Sequence, residues 1–227
     1  MSQKAESTHC EELVCILIAA GNSSRLGQPK QIVKKDNESL LSRSAKLGLN
    51  SCNSVLCVLG FQAEEFKNDI QSLSVECIVN KQWQIGMGSS IACAIKQLPP
   101  QTQAVMIMLC DQWALNENDI EALVETWRKN KSQIVTSEYI DFETDQNVLG
   151  ATAIFPRAYF PLLAELKEKG ARKILENNRA NLITVNLSSA AFDLDTPQDL
   201  EKFLTETQGI EKQSSKNNFN KSTINSY

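Results

Sequence analysis

Residues 16–30 read ILIAAGNSSRLGQPK. An apolar run stops at Gly21 and gives way to a polar loop carrying Arg25 and Lys30. A buried strand that ends at glycine, with two cations in the next nine residues, reads as the first strand of a parallel α/β sheet feeding an anion-binding loop. The missing side chain at Gly21 lets backbone N–H groups approach a phosphate. Ser23 and Ser24 add hydroxyl donors, Arg25 can fork onto phosphate oxygens, and Lys30 supplies a point charge. Composition alone fits an ordinary exposed loop with solvated cations equally well.

Working outward, apolar runs recur with amphipathic segments between them. The pattern predicts strands over 15–20, 54–59, 75–79, 104–109, 134–136, 151–155 and 182–185. It predicts helices over 40–49, 63–73, 89–97, 117–129, 157–167, 171–177 and 197–205. Strand and helix alternate through the first 130 residues, which implies βαβ units around a mostly parallel central sheet. The expected fold is a single Rossmann-like three-layer α/β domain over 13–207, with helices on both faces. Thr196, Pro197 and Asp199 give the last helix an N-cap, a proline at the first turn and an acidic start. Residues 208–227 are rich in Ser, Asn and Lys without periodicity and read as a disordered tail.

The chain has 227 residues, enough for one large core. A net charge of −4 and a pI near 5.2 argue against a nucleic-acid surface, which needs clustered Lys and Arg. There is no run of eighteen apolar residues, so no membrane span is expected. The leader over 1–12 is polar and acidic and lacks the apolar centre of a signal peptide, so a cytoplasmic location is expected. Seven cysteines without a CxxC read as free thiols in a reducing compartment. His9 is the sole histidine and lies in the leader, which removes Ser-His-Asp hydrolysis and His-ligated metals.

Two common phosphate motifs fail. A P-loop needs glycine, four residues, then Gly-Lys-Ser/Thr, and a dinucleotide turn needs GxGxxG; the run here is G-NSSRL-G. Acidic residues at other strand ends point elsewhere. Asp111 follows VMIMLC directly, and Asp195 sits in FDLDTPQDL before a helix start. Carboxylates at strand ends beside a polyphosphate are what Mg²⁺ uses, together with phosphate oxygens and waters. Each aspartate alone also fits a turn or a helix cap. Residues 80–91, NKQWQIGMGSSI, end a strand at Asn80, turn through Gly86 and Gly88, and open a helix with Ser89 and Ser90. Donors there suit a base or an anion at a helix N-terminus, and a plain loop with a Ser cap fits as well.

Together the pieces resemble one family. ILIAAGNSSRLGQPK is similar to the LAAGxSxRxGxxK signature of sugar-nucleotide-type nucleotidyltransferases. WQIGMGSSI, MLCDQ, GATAIFPRAYFPLL, KGARKIL and FDLDTPQDL resemble, in order, motifs of the molybdenum cofactor cytidylyltransferases, over about 14–203. The resemblance implies a nucleotide-diphospho-sugar transferase type of fold. It also implies Mg²⁺-dependent transfer of CMP from CTP to molybdopterin with release of pyrophosphate. By motif match, Ala19, Ala20, Gly21, Arg25 and Lys30 cradle the nucleotide phosphates, with Ile18, Asn22 and Ser23 beside them. Lys30 and Arg25 take the catalytic roles, and Asp111 and Asp195 the metal. Asn80, Gly88, Ser89 and Ser90 match positions near base and ribose. The AAG at 19–21, where guanylyltransferase relatives carry AGG, puts a methyl at Ala20 that would narrow the base pocket toward a pyrimidine.

Three segments depart from the family pattern: Asp111-Gln112-Trp113 in place of DQP, Gly150-Ala151-Thr152 in place of Gly-x-Pro, and KKDNESLL after the loop lysine. They put the acceptor in question more than the nucleotidyl chemistry. The rival readings are transfer to a sugar phosphate or other phosphorylated acceptor, and a non-catalytic nucleotide or cofactor carrier. Transient docking to a molybdoenzyme or its chaperone is the one protein contact the resemblance suggests. No nucleic-acid or membrane partner is expected.

Overall fold

The first strand sets the layers. In β1 (Leu13–Ile18) all six residues are buried, and they split by alternation. Leu13, Cys15 and Leu17 join one apolar cluster, and Val14, Ile16 and Ile18 the other. A strand buried on both faces requires helices on both faces, and the computed structural model, which describes residues 12–141 and 144–205, has them. The expected tail at 208–227, and all of the expected leader but Glu12, lie outside the described residues.

After β1 a small hairpin, β2 (Lys34–Lys35) and β3 (Glu38–Ser39), leads into α1 (Leu40–Ser51). Then follow β4 (Ser54–Leu59), α2 (Ala63–Asp69), β5 (Glu76–Val79), α3 (Met87–Ile95), β6 (Ala104–Leu109) and α4 (Glu117–Lys129). The chain continues through β7 (Val135–Ile140), β8 (Asn147–Pro156), α5 (Phe160–Ala164), α6 (Arg172–Asn177), β9 (Ile183–Asn186) and α7 (Pro197–Thr205). The first cluster is closed by Leu41 and Ala45 of α1, Phe66 of α2 and Ile120, Leu123 and Trp127 of α4. The second is closed by Ile91 and Ala94 of α3, Leu163 of α5 and Leu175 of α6.

The seven-stranded sheet has the order β5-β4-β1-β6-β8-β7-β9. The pairs β5–β4, β4–β1, β1–β6 and β7–β9 are parallel, and β8 runs against both of its neighbours. The chain leaves β1 toward β4 and β5, then returns to place β6 on the other side of β1. The order reverses between β1 and β6, and the crevice beyond their carboxyl ends is where such sheets bind ligands.

The expected strands and helices are all present; those over 54–59, 104–109, 117–129 and 197–205 keep their bounds, and the others have shifted ends. The first strand stops at Ile18, so Ala19 and Ala20 belong to the loop rather than to the strand. The helix expected over 63–73 stops at Asp69. The helix expected over 157–167 divides into a 3-10 turn, Arg157–Tyr159, and five-residue α5. The β2–β3 hairpin was not among the expected elements. Its turn residues Asp36 and Asn37 have φ of 53° and 63°, the pair of left-handed conformations a two-residue hairpin turn needs. The six described cysteines are free. No helix among the described residues is long and apolar enough to cross a membrane.

Candidate active site

The loop after β1 is held in shape by its own side chains. Ser23 sits at φ 53°, and its Oγ accepts from Lys30 N at 3.1 Å, closing the loop over seven residues. Pro29 leads into a 3-10 turn at Lys30–Ile32, which drives Gln31 inward. Gln31 Nε2 donates to the carbonyls of Ala19 (3.0 Å) and Gly21 (2.7 Å). Phe61 N donates to the carbonyl between them, that of Ala20, at 3.0 Å. The N–H groups of Gly21, Asn22 and Ser23 have no protein acceptor among the described residues. Successive free N–H groups of this kind suit an anion.

The loop forms one wall of a cavity of about 280 Å³ at the switch point. Ile18, Ala19, Ala20, Gly21, Asn22 and Lys30 line it from the β1 side, and Asp111 from the end of β6. Trp83, Met87 and Ser90 close the opposite side.

Charge is concentrated at one end. Lys30 Nζ donates to Asp111 Oδ2 at 2.5 Å and to Asp195 Oδ1 at 2.8 Å. Arg25 Nη2 donates to the other Asp195 oxygen, Oδ2, at 2.8 Å. Burial alone would lower the affinity of Lys30 for its proton, but Asp111, with help from Asp195, outweighs it and holds the ammonium well above the usual lysine range. Lys30 is therefore a fixed cation. Arg25 is 73% exposed, and its guanidinium is held by the ion pair with Asp195.

Sequence-distant segments meet here by design of the backbone. Gln112 and Asp193 form an isolated antiparallel bridge, and Leu194 N donates to the Asp111 carbonyl at 3.0 Å. The N-terminus of α7 then fixes Asp195. Asp199 Oδ2 accepts from the N–H groups of Thr196 (2.8 Å) and Asp195 (3.3 Å), while Asp199 N donates to Thr196 Oγ1 at 3.2 Å. This is a reciprocal capping box.

The structure therefore brings Arg25, Lys30, Asp111 and Asp195 into one constellation. The 80–90 turn divides. Ser90 lines the cavity, whereas Asn80 and Ser89 line a neighbouring cleft. Asn80 spends its amide on structure, donating to Ser89 Oγ (2.9 Å) and Ser90 Oγ (3.0 Å) and accepting from Gln82 N (2.9 Å). Gly88 serves close packing, since a Cβ there would stand 2.3 Å from the Lys169 carbonyl oxygen. Ser24 is not in the cavity lining.

Sequence reasoning missed Gln31, Asp193 and the Gln112–Thr152 pair. Gln112 Oε1 accepts from Thr152 Oγ1 at 2.6 Å and its Nε2 donates to the Ala190 carbonyl at 3.0 Å, so two of the departing segments, 111–113 and 150–152, are joined in the interior. Trp113 packs against Phe192 and Phe203, each at a ring separation of 5.5 Å, and so ties the segment after Asp111 to α7. Asp193 is flanked by acid. Burial first, then Asp111 and Asp195, push its carboxyl up to about 7. The DLD spacing of 193–195 was the available signal for it; a buried glutamine inside a polar loop gives none.

The donor set suits a hard divalent cation. Asp111 Oδ1 is buried without a hydrogen-bond partner, and so is Asp193 Oδ1. Asp111 lines the cavity, and a carboxylate with an unpartnered oxygen there is compatible with Mg²⁺, which takes one or two carboxylates and completes its shell with phosphate oxygens and water. No preassembled group of three or more ligating side chains exists among the described residues, so such an ion would depend on the nucleotide for part of its shell.

A family model described as the MobA-like NTP transferase domain matches residues 15–182. The chain is 24% identical over 192 residues to a probable molybdenum cofactor guanylyltransferase of Rhodopirellula baltica, covering 83% of this chain and 90% of that one. It is equally similar, 24% over 196 residues, to nicotine blue oxidoreductase of Paenarthrobacter nicotinovorans, covering 83% and 95%. A shorter match of 30% identity over 82 residues, 36% of this chain and 43% of the other, links it to molybdenum cofactor cytidylyltransferase of Escherichia coli. Among solved structures, Rv0371c from Mycobacterium tuberculosis superposes with a TM-score of 0.75 at 21% identity, covering 86% of this chain and 98% of that one. The same protein in complex with manganese gives 0.71 at 19% identity, covering 85% and 98%. At these identities the solved structures speak for the fold.

Proposed function

The chain belongs to the MobA-like NTP transferase family, a family of nucleotidyltransferases, and from that premise we propose that it moves CMP from CTP to molybdopterin and releases pyrophosphate. The observation that carries the reading is Lys30, held as a cation between Asp111 and Asp195 at the end of a cavity walled by free N–H groups. That arrangement supports a triphosphate site, because it offers an ammonium and unclaimed backbone donors beside carboxylates suited to a divalent cation.

In this reading the N–H groups of Gly21, Asn22 and Ser23 bind the phosphates, and Lys30 turns part of its charge from the carboxylates to the α-phosphate as charge develops there. Arg25, exposed and paired with Asp195, holds the leaving pyrophosphate. The chemistry Mg²⁺ supplies when bound is neutralisation of phosphate charge, with Asp111 and Asp195 as its carboxylate ligands. The attacking group is a phosphate monoester, already ionised, so no general base is needed and positioning with charge neutralisation suffices. The methyl of Ala20 in the cavity wall supports a pyrimidine. A named guanylyltransferase and a named cytidylyltransferase among the relatives support molybdopterin as acceptor and leave the base to be measured.

A pyrophosphate-release assay across the four NTPs with molybdopterin tests the proposal. Release confined to CTP is expected; release from CTP only with a sugar phosphate would transfer the reading to that acceptor. The oxidoreductase relative supports a second reading, electron transfer on the same fold. Oxidoreductase turnover without pyrophosphate release from any NTP would favour it.

A further inference from the structure

We infer that Gln31 is the positioning residue of the phosphate loop, the group that keeps the loop's carbonyl oxygens out of the path of the bound anion. The inference rests on the reading of the cavity as a nucleotide site. Gln31 is 1% exposed, yet it lines that cavity. Both hydrogens of its amide are committed, one to the carbonyl of Ala19 and one to that of Gly21. Phe61 N holds the Ala20 carbonyl between them. Three consecutive carbonyls are thereby bound to protein donors, while the N–H groups of Gly21, Asn22 and Ser23 stay unclaimed among the described residues.

The chemistry calls for this separation. A peptide unit presents either its N–H or its C=O to a ligand, and a carbonyl oxygen turned toward a triphosphate would repel it. Outside the strand, Ala19 and Gly21 have no ladder partner to absorb their carbonyls, so a side chain must do it. Glutamine is suited because one amide nitrogen carries two donors and spans both oxygens. Glutamate in the same shape has no donor when ionised. Gln31 is also adjacent to Lys30, whose N–H is fixed on Ser23 Oγ at 3.1 Å, so the same turn that sets the cation sets the clamp.

The test is equilibrium binding of CTP with Mg²⁺ to the native chain and to Gln31→Met and Gln31→Glu, alongside steady-state kinetics. Gln31→Met keeps the volume and removes both donors, and it serves if the glutamate variant fails to fold. Loss of the two carbonyl partners is expected to weaken CTP binding about 10-fold or more. KM for CTP is expected to rise by a similar factor, a larger change than in KM for the acceptor or the melting temperature. A general loss of structure would instead move all of these together with the melting temperature. CTP binding by Gln31→Met within about twofold of native would overturn the role, with the nucleotide reading intact. Failure of the native chain to bind any of the four NTPs would overturn the nucleotide reading and this role with it.

Discussion

Lys30 is buried between two carboxylates, a position that costs solvation and is compensated only by those charges. Its worth should therefore appear in rate. In the proposed reaction Lys30→Ala is expected to lower kcat by about 10²–10³, the cost of removing one donor from developing phosphate charge. Turnover near native would remove that role. Ala20 makes a narrower claim. Its side chain is nearly fully enclosed in the cavity wall, and Ala20→Gly deletes only a methyl. The expected result is a rise in GTP use relative to CTP, by roughly tenfold, since one methyl's worth of steric discrimination is about 1–3 kcal/mol. Equal use of GTP and CTP by the native protein would contradict the assignment. Asp111 was legible because it stands just past the end of β6, whereas Arg25, Lys30 and Asp195 lie farther along their loops and were legible through the motifs that carry the family resemblance. Gln31 was not legible. Its role comes from a 3-10 turn that buries a polar side chain, and nothing in QPKQI announces that burial.

At the scale of elements, the site depends on a side-chain cluster that does not itself line the cavity. The small apolar cluster of Leu26, Val33, Leu40, Leu194 and Phe203 is organised around Trp113 and joins the phosphate loop, the hairpin, the segment after β6 and α7. Trp113, one of the departures from the family pattern, thus has a packing role. Trp113→Ala is expected to lower stability by about 3–5 kcal/mol, the usual cost of emptying a large buried aromatic site. Chemical denaturation measures it, and a loss under about 1 kcal/mol would mean the cluster does not hold α7 in place. The 80–90 turn shows the limit of motif reading at this scale. Its Gly-x-Gly pattern suggested a ligand-facing turn, and Gly86 does line the cavity, but the pattern gave no sign that the 167–169 backbone passes within what would be Cβ contact of Gly86 and Gly88. Interactions between segments eighty residues apart leave no periodic trace in either one.

At the scale of the molecule, the pattern of apolar runs carried most of the architecture. Runs such as LVCILI and AVMIML are buried on both faces, and only a sheet covered by helices on both sides accommodates them. The reversal of β8 was not legible, because an antiparallel strand covered on both faces reads like a parallel one. Strand order places the first loop, the end of β6 and the 193–195 segment around one crevice, and the proposed reaction has the α-phosphorus of CTP change partners there. Following that atom is the direct measurement. With CTP labelled at the α-phosphorus and molybdopterin as acceptor, the account predicts that the label enters the acceptor as CMP, with one pyrophosphate released per transfer. Label that remains in CTP, or that appears only as free CMP while the acceptor stays unlabelled, would contradict it.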